Sequence, residues 1–402
     1  MPCPRGTEIQ VIYRSRESHN NRNPNKQKGM ELMKKRIVAL ATVLALAFTL
    51  AACGESSVPT GSSNPSASTP PASQSANSEN TSAVEPGLAG TVENPYVITF
   101  GNTANISNPD HPYMMAMNAM NDKLMELSGG TLGFDIVYGG VYGSTAQHLA
   151  QIKAGTLDGM VTGFDIATNL ENSERFYAVC MPFVFDSDEH IDKFLDSDLW
   201  AEMVDDLAES SGVRIASLFF HQPPRSLNTT TPVAHPSEMA GVKLRVPESD
   251  VQVKVWTAAG ASPVQIPGSE MYSAIDTGIA DGQENDIPTA ISLKFYEVAP
   301  YFTEIDYIRQ AQFLYTSEIT WQKMNDQEKG WFLEAAAAGQ AAAAERYETM
   351  YDEAIAEIEE NGGTIVEFDY DEWKTFFTDI VKNEFDGVLY PAGLYDQIQA
   401  MS

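Results

Sequence analysis

Cysteine is nearly absent. Three occur in 402 residues, and only Cys180, in "YAVCMPFVF", falls where a folded body can form. A disulfide framework and a thiolate zinc site are therefore excluded, and Cys180 reads as a small buried hydrophobe. Positive charge is also scarce: Lys and Arg total 25 against 55 Asp and Glu, for a net charge of −30. Nine of the bases and three of the acids precede Cys53, so the remainder carries 16 against 52. Nucleic acid and anionic lipid surfaces are poor partners for such a field. With so few cations, two arginines that converge would mark a site.

The patterns of catalysis and metal binding are missing too. None of the six histidines pairs at i, i+4 around a glutamate as a zinc helix requires. His111 and His235 each precede a proline, which suggests loops. His221, at a strand end beside two prolines, is the one placed near a cleft. No G-x-S-x-G elbow occurs, and "YGGVYGS" lacks the lysine of a phosphate loop. "DTGIADGQEND", Asp276 to Asp286, lacks the ligand spacing and closing glutamate of a calcium loop. No nucleophile, base and orienter come together, so an enzyme is disfavoured and no metal or cofactor is expected.

There is one long apolar run, Ile37 to Leu50, behind the basic residues Lys34, Lys35 and Arg36. It is too short for a membrane span and reads as a signal peptide over 33–52. The ending Leu50-Ala51-Ala52-Cys53 resembles a bacterial lipobox, with Cys53 as the lipidated residue. Residues 1–32 read as a spurious N-terminal extension. Residues 53–94, rich in Ser, Pro, Asn and Ala, have too little to bury and read as a flexible tether.

The body, from about 95, alternates strand and helix, which predicts an α/β fold with largely parallel sheets. "YVITFGNT" and "LGFDIVYGG" are strands around a Met- and Leu-striped helix that Gly129-Gly130 stops. "DSDEHIDKFLDSDLWAEMVDDLAES" is expected as one acidic-faced helix. Residues 326–361 are full of strong helix formers and would span on the order of 50 Å, bracing more than one domain unless Gly339 breaks them. In "GVKLRVPES", Val242, Leu244 and Val246 alternate with Lys243 and Arg245. Periodicity alone puts Arg245 on the wet face of a half-buried strand.

Three stretches change that reading. "GVKLRVPES", "GASPVQIPGSEMYSAIDTGIADGQEN" and "KFYEVAPY" resemble the core signature of the DctP-type receptors of tripartite ATP-independent periplasmic (TRAP) transporters. "VYGSTAQHLAQIKAGTLDG" and "MPFVFDSDEHIDKF" are similar to that family's earlier blocks. The resemblance covers Tyr96 to about Tyr351. It implies a two-domain, periplasmic-binding-protein-like α/β fold of class II type, with a long helix along both domains. Domain I would hold 95–222 and about 310–351, domain II 223–309 and about 352–402. It implies a small organic acid bound in the interdomain cleft, domain closure, and docking on one small and one large integral membrane subunit.

By the same resemblance Arg245 grips the ligand carboxylate, Arg225 assists it, and Asn285 orients the other end. Gln147, Phe164, Phe220 and Gln222 are further candidate contacts. A guanidinium suits this role, because two parallel N–H donors match both oxygens of a carboxylate. The chain departs from the pattern at Asp286-Ile287-Pro288, at Gly268, which is expected to enlarge the pocket, and at Phe164-Asp165, which disfavours sialic acid. A C4-dicarboxylate, a 2-hydroxy or 2-keto acid and an aromatic carboxylate stay open. A ligand-binding subunit for a membrane sensor kinase, and a secreted enzyme on the same scaffold, are the alternative roles.

Overall fold

The computed structural model describes residues 87–402, so the expected N-terminal extension, the expected signal peptide, Cys53 and most of the expected tether lie outside the described residues. Its framework is a nine-stranded mixed sheet: β1 (Tyr96–Gly101), β2 (Leu132–Val137), β3 (Gly159–Thr162), β4 (Val213–Thr229), β5 (Leu244–Val246), β6 (Val264–Gln265), β7 (Gly282–Asn285), β8 (Tyr301–Ser317) and β9 (Thr364–Ile365). The strand order is 2-1-3-8-4-7-5-6, with β9 against β8. Strands β1, β2 and β3 run parallel, as do β5, β6 and β7. The joining pairs β3–β8, β4–β8 and β4–β7 are antiparallel, so the sheet is mixed where alternation suggested parallel.

Strands β4 and β8 are 17 residues each and carry the chain from one parallel group to the other. β8 is continuously buried from Ala311 to Ser317, so alternation is confined to its first half. β4 is irregular where it crosses: its pairing with β8 shifts register between Gln222 and Arg225 and again before Leu227. Pro223 and Pro224 lie in that interval, and a residue without an N–H cannot continue the ladder.

The helices used below are α1 (Pro112–Leu127), α2 (Thr145–Ala154), α3 (Glu174–Val179), α4 (Asp188–Leu195), α5 (Asp198–Ser211), α6 (Asp250–Ala258), α7 (Met271–Asp276), α8 (Ile287–Ser292), α9 (Glu318–Lys323) and α10 (Asp326–Glu360). The expected acidic helix is two, because Ser197 accepts from the amide of Trp200 and starts α5 as a new helix. Glu328 and Asn325 cap each other at the start of α10. Both carboxylate oxygens of Glu328 also take the amides of Leu88 and Ala89 at 2.8 Å. The last residues of the predicted tether are thus fastened to the body, with Leu88 packed on its core.

Helix α10 is unbroken for 35 residues. Its first part packs through Phe332, Ala335 and Ala336 beside Phe100 and Phe134, while Ala354 and Ile358 join a second core around Ile287, Phe295 and Phe302. Gly339 does not break it. A Cβ there would lie 2.9 Å from the Ala116 carbonyl oxygen of α1 and 3.2 Å from Phe219, so glycine lets the two helices approach closely. Gly339→Ala gains about 1 kcal/mol of helix propensity but overpacks against backbone at a cost of roughly 1–3 kcal/mol. A melting temperature lower by a few degrees is expected, and one equal to or above the parent's would refute the close packing.

Candidate functional site

A cavity of about 190 Å³ opens where the C-terminal ends of β1, β3, β5 and β7 face each other. Ligands of open α/β sheets bind at such ends, where strand order reverses. One wall is the loop after β1, the start of α2 and the end of β3; the other is Arg245, Pro247 and Glu248 after β5, Pro267 to Met271, and Asn285 with α8.

Arg245 is buried, only 4 % exposed, so the wet-face reading from periodicity fails. β5 is an inner strand, paired on both sides by β6 and β7, and Leu244 and Val246 face the main core. The alternate face is the cavity wall. Nε and Nη2 of Arg245 donate to one carbonyl oxygen, that of Ile266, at 2.9 and 2.7 Å. Among the described residues no carboxylate lies within ion-pairing distance of it. Burial lowers its pKa to about 9; the more distant carboxylates of Glu284, Asp165 and Glu248 oppose that shift, while the like charge of Arg225 adds to it. Among the described residues this is a buried cation with no direct ion-pair partner.

Arg225 differs. It is ion-paired with the fully buried Glu284 through Nε, while Nη2 donates to Glu284 Oε1 and to the Glu284 carbonyl, each at 2.6 Å. Nη1 donates to Gln310 Oε1 at 2.6 Å. The Tyr307 hydroxyl lies 2.6 Å from Glu284 Oε2 and accepts from Trp256 Nε1. Arg225 lines the cavity with its charge already met. The two arginines expected to share the ligand carboxylate thus differ in this structure: Arg245 has no ion-pair partner, and Arg225 has Glu284.

Asn285, at the end of β7, also lines the cavity and uses its carbonyl oxygen on the amide of Asp286 at 3.0 Å. Gln222 is there too, bonded to Gln312 (2.6 Å), Tyr347 and Asp286. The other three candidates are elsewhere. Phe164 is core, stacked near Phe185 and 4.3 Å from the Phe313 ring, and Phe220 is fully buried against Tyr113. Gln147 is exposed and serves the capping box that opens α2. His221 is not at the cavity either; its Nε2 pairs with Asp192 at 2.9 Å. Gly268 does not enlarge the pocket, because a Cβ there would lie 3.3 Å from Ala104 Cα and the glycine lets two loops meet.

Several wall residues carried no signal in the sequence. Asn102, Asn105 and Asn108 come from the loop after β1, Gln310 and Gln312 from β8, and Asp165 follows β3. Burial raises the Asp165 carboxyl despite the Arg225 charge. Amides are ordinary surface residues by type; the fold buries Asn102 and Gln312, while Asn105 and Asn108 line the cavity from exposed positions.

Asp286 caps α8 through Thr289 N (2.8 Å), so its departure from the family pattern starts a helix. Burial lifts its carboxyl to about 6. The folded state then holds a proton that the unfolded chain has released, so this group's contribution is greatest at low pH and is lost as pH rises through 6. His111, brought down to about 4 by burial and Arg346, works oppositely: its contribution is full above its ordinary value and falls with pH. Asp286→Asn keeps the cap and isolates the first effect. It should exceed the parent in stability by roughly 1–3 kcal/mol at pH 7, with the gap closing by about pH 4. A gap independent of pH in chemical-denaturation curves would refute this.

The family model described as bacterial extracellular solute-binding protein, family 7, matches residues 103–385. A solute-binding protein of Roseobacter denitrificans is 29% identical over 271 residues, 66% of this chain and 80% of its own. The sialic acid-binding periplasmic protein SiaP of Vibrio cholerae is 29% identical over 208 residues, 52% of this chain and 64% of its own. Among solved structures, the Roseobacter denitrificans protein with bound L-galactonate superposes with a TM-score of 0.69 at 24% identity, over 76% of this chain and 98% of that one. A Bradyrhizobium TRAP periplasmic protein in complex with galacturonate gives 0.67 at 24% identity, over 76% and 100%. This chain has their two-domain, periplasmic-binding-protein-like fold, and it belongs to the DctP family, the family 7 extracellular solute-binding proteins.

Proposed function

We propose that the cavity receives the carboxylate of a hydroxylated organic acid, with Arg245 as its counter-ion. The chain is an extracytoplasmic, carboxylate-binding receptor of the TRAP type, working with a membrane permease. In this reading Cys53 carries a lipid that keeps the receptor at the outer face of the membrane. The small and large membrane subunits are its docking partners, and the ligand leaves chemically unchanged. No helix among the described residues is long and apolar enough to cross a membrane.

One observation carries the ligand class: a buried guanidinium whose hydrogen bonds go to a single carbonyl and which no carboxylate among the described residues pairs with directly. A carboxylate supplies the missing charge and fits the guanidinium fork. The rest of the wall favours hydroxyl groups. Asn285, Gln310 and Gln312 offer amides, and Asp165 is an acceptor in a place where an apolar ligand would leave it unmet. Galactonate and galacturonate, found in the two related structures, have this chemistry.

A thermal-shift panel of sugar acids, C4-dicarboxylates and aromatic monocarboxylates tests the assignment. A ligand at 100 times its Kd stabilises by about 2.7 kcal/mol, a shift of a few degrees. Sugar acids should give the largest shifts, and these should vanish in Arg245→Ala. Shifts that survive in that variant would overturn the assignment.

A further inference from the structure

Glu248 lies three residues beyond Arg245, in the loop between β5 and α6, and lines the same cavity. Its Oε2 accepts from the backbone amide of Thr145 at 2.9 Å. Thr145 is the first residue of α2, is buried, and lines the facing wall. Two further amides at that helix start are satisfied locally. Ser144 N donates to Gln147 Oε1 at 2.8 Å, and Gln147 N donates back to Ser144 Oγ. Glu248 reaches the helix from the opposite side of the cavity. It is also fixed along its own backbone: Asn169 Nδ2 donates to the Glu248 carbonyl at 2.6 Å, and Asp250 N donates to Asn169 Oδ1 at 3.1 Å.

The start of a ten-residue helix attracts anions, because its first amides point outward and the helix dipole is positive there. In this cavity that position is already filled by a carboxylate belonging to the protein. The cavity therefore contains two places that suit an anion. One is Arg245, with no carboxylate bonded to it; the other is the start of α2, with Glu248 on it.

We infer that Glu248 is a specificity residue that restricts the ligand to one carboxylate, by holding the second anion position itself and repelling an acid group that approaches it. The inference rests on the reading of Arg245 as the ligand's counter-ion. A ligand with one carboxylate binds Arg245 and turns hydroxyls toward Glu248 and Thr145, where both an acceptor and the threonine hydroxyl are available. A ligand with a carboxylate at each end sets like charges side by side in a site that excludes water. Discrimination of this kind works by an element placed against the wrong ligand.

The test compares aldonates with the aldarates of the same configuration, gluconate with glucarate and galactonate with galactarate, by titration calorimetry on the parent, Glu248→Gln, Glu248→Ala and Arg245→Ala. The parent should prefer the aldonate at least 100-fold. In Glu248→Gln, which can still accept from Thr145 N but carries no charge, the preference should fall at least tenfold, chiefly through tighter aldarate binding. Glu248→Ala, which frees the Thr145 amide as well, should narrow it at least as far. Melting temperatures of the ligand-free variants near the parent's will show that the fold is retained. An unchanged preference in both Glu248 variants, with aldonate binding still lost in Arg245→Ala, overturns the role of Glu248 and leaves the Arg245 assignment standing. Aldonate binding that persists in Arg245→Ala, or no binding of either acid to the parent, overturns both.

Discussion

Arg245→Met abolishes carboxylate binding and leaves the ligand-free protein about as stable as the parent or more so. The two halves of this expectation have one cause. Arg245 is buried, its bonds go to Ile266 O alone, and no carboxylate pairs with it directly until a ligand arrives. In the ligand-free protein the cation is a burden, and exchanging a buried charge for an apolar side chain of similar volume is commonly neutral or stabilising by about 1–4 kcal/mol. Against that stands the Ile266 carbonyl, which loses its donor at a cost of about 1–3 kcal/mol. The two terms nearly cancel. With ligand bound, removing one partner of a buried ion pair costs roughly 3–5 kcal/mol, some hundred- to several-thousand-fold in affinity. Arg245→Lys should also bind poorly, since an ammonium cannot present two parallel donors. Calorimetric titration and melting temperature, read together, check the prediction. A variant that binds normally, or one that unfolds without ligand, would each contradict it.

How far the sequence foretold this site depends on the distance over which each residue's role is decided. Helix starts and stops were legible because they are local: Gly155 closes α2 in a left-handed conformation, and Ser144 opens it. The long helix was legible because composition alone carries it. Arg245 was legible only through resemblance, since strand alternation assigns it to water, and the alternation rule fails wherever the second face of a strand looks into a cavity. What neutralises Arg225 could not be read at all. Glu284 is 59 residues away and reaches it only because β4 and β7 pair antiparallel with Ser226 opposite Asn285. Phe164 and Phe220 failed as contacts for the converse reason: aromatic residues next to a cleft are more often its supports than its lining.

Glu284→Leu is expected to lower stability more than any change at the ligand-contacting positions. The variant leaves Arg225, 7 % exposed, with only the backbone carbonyl at position 284 and Gln310 Oε1 as acceptors, and no carboxylate bonded to it. It also takes from the Tyr307 hydroxyl its nearest acceptor. Breaking a buried pair in this way costs about 3–5 kcal/mol, which in a body of this size is on the order of 10 °C. If the loss comes from the stranded charge rather than from packing, removing the charge should restore it. Arg225→Met combined with Glu284→Leu should recover most of the stability, and the coupling measured across the four proteins should be large and of that sign. The double variant should also keep measurable, Arg245-dependent binding, because the pair it removes contributes shape and hydrogen bonds but little net charge to the cavity. Equal destabilisation in the single and double variants would mean that Glu284 acts through packing, and complete loss of binding in the double variant would mean that Arg225 meets the ligand's charge after all.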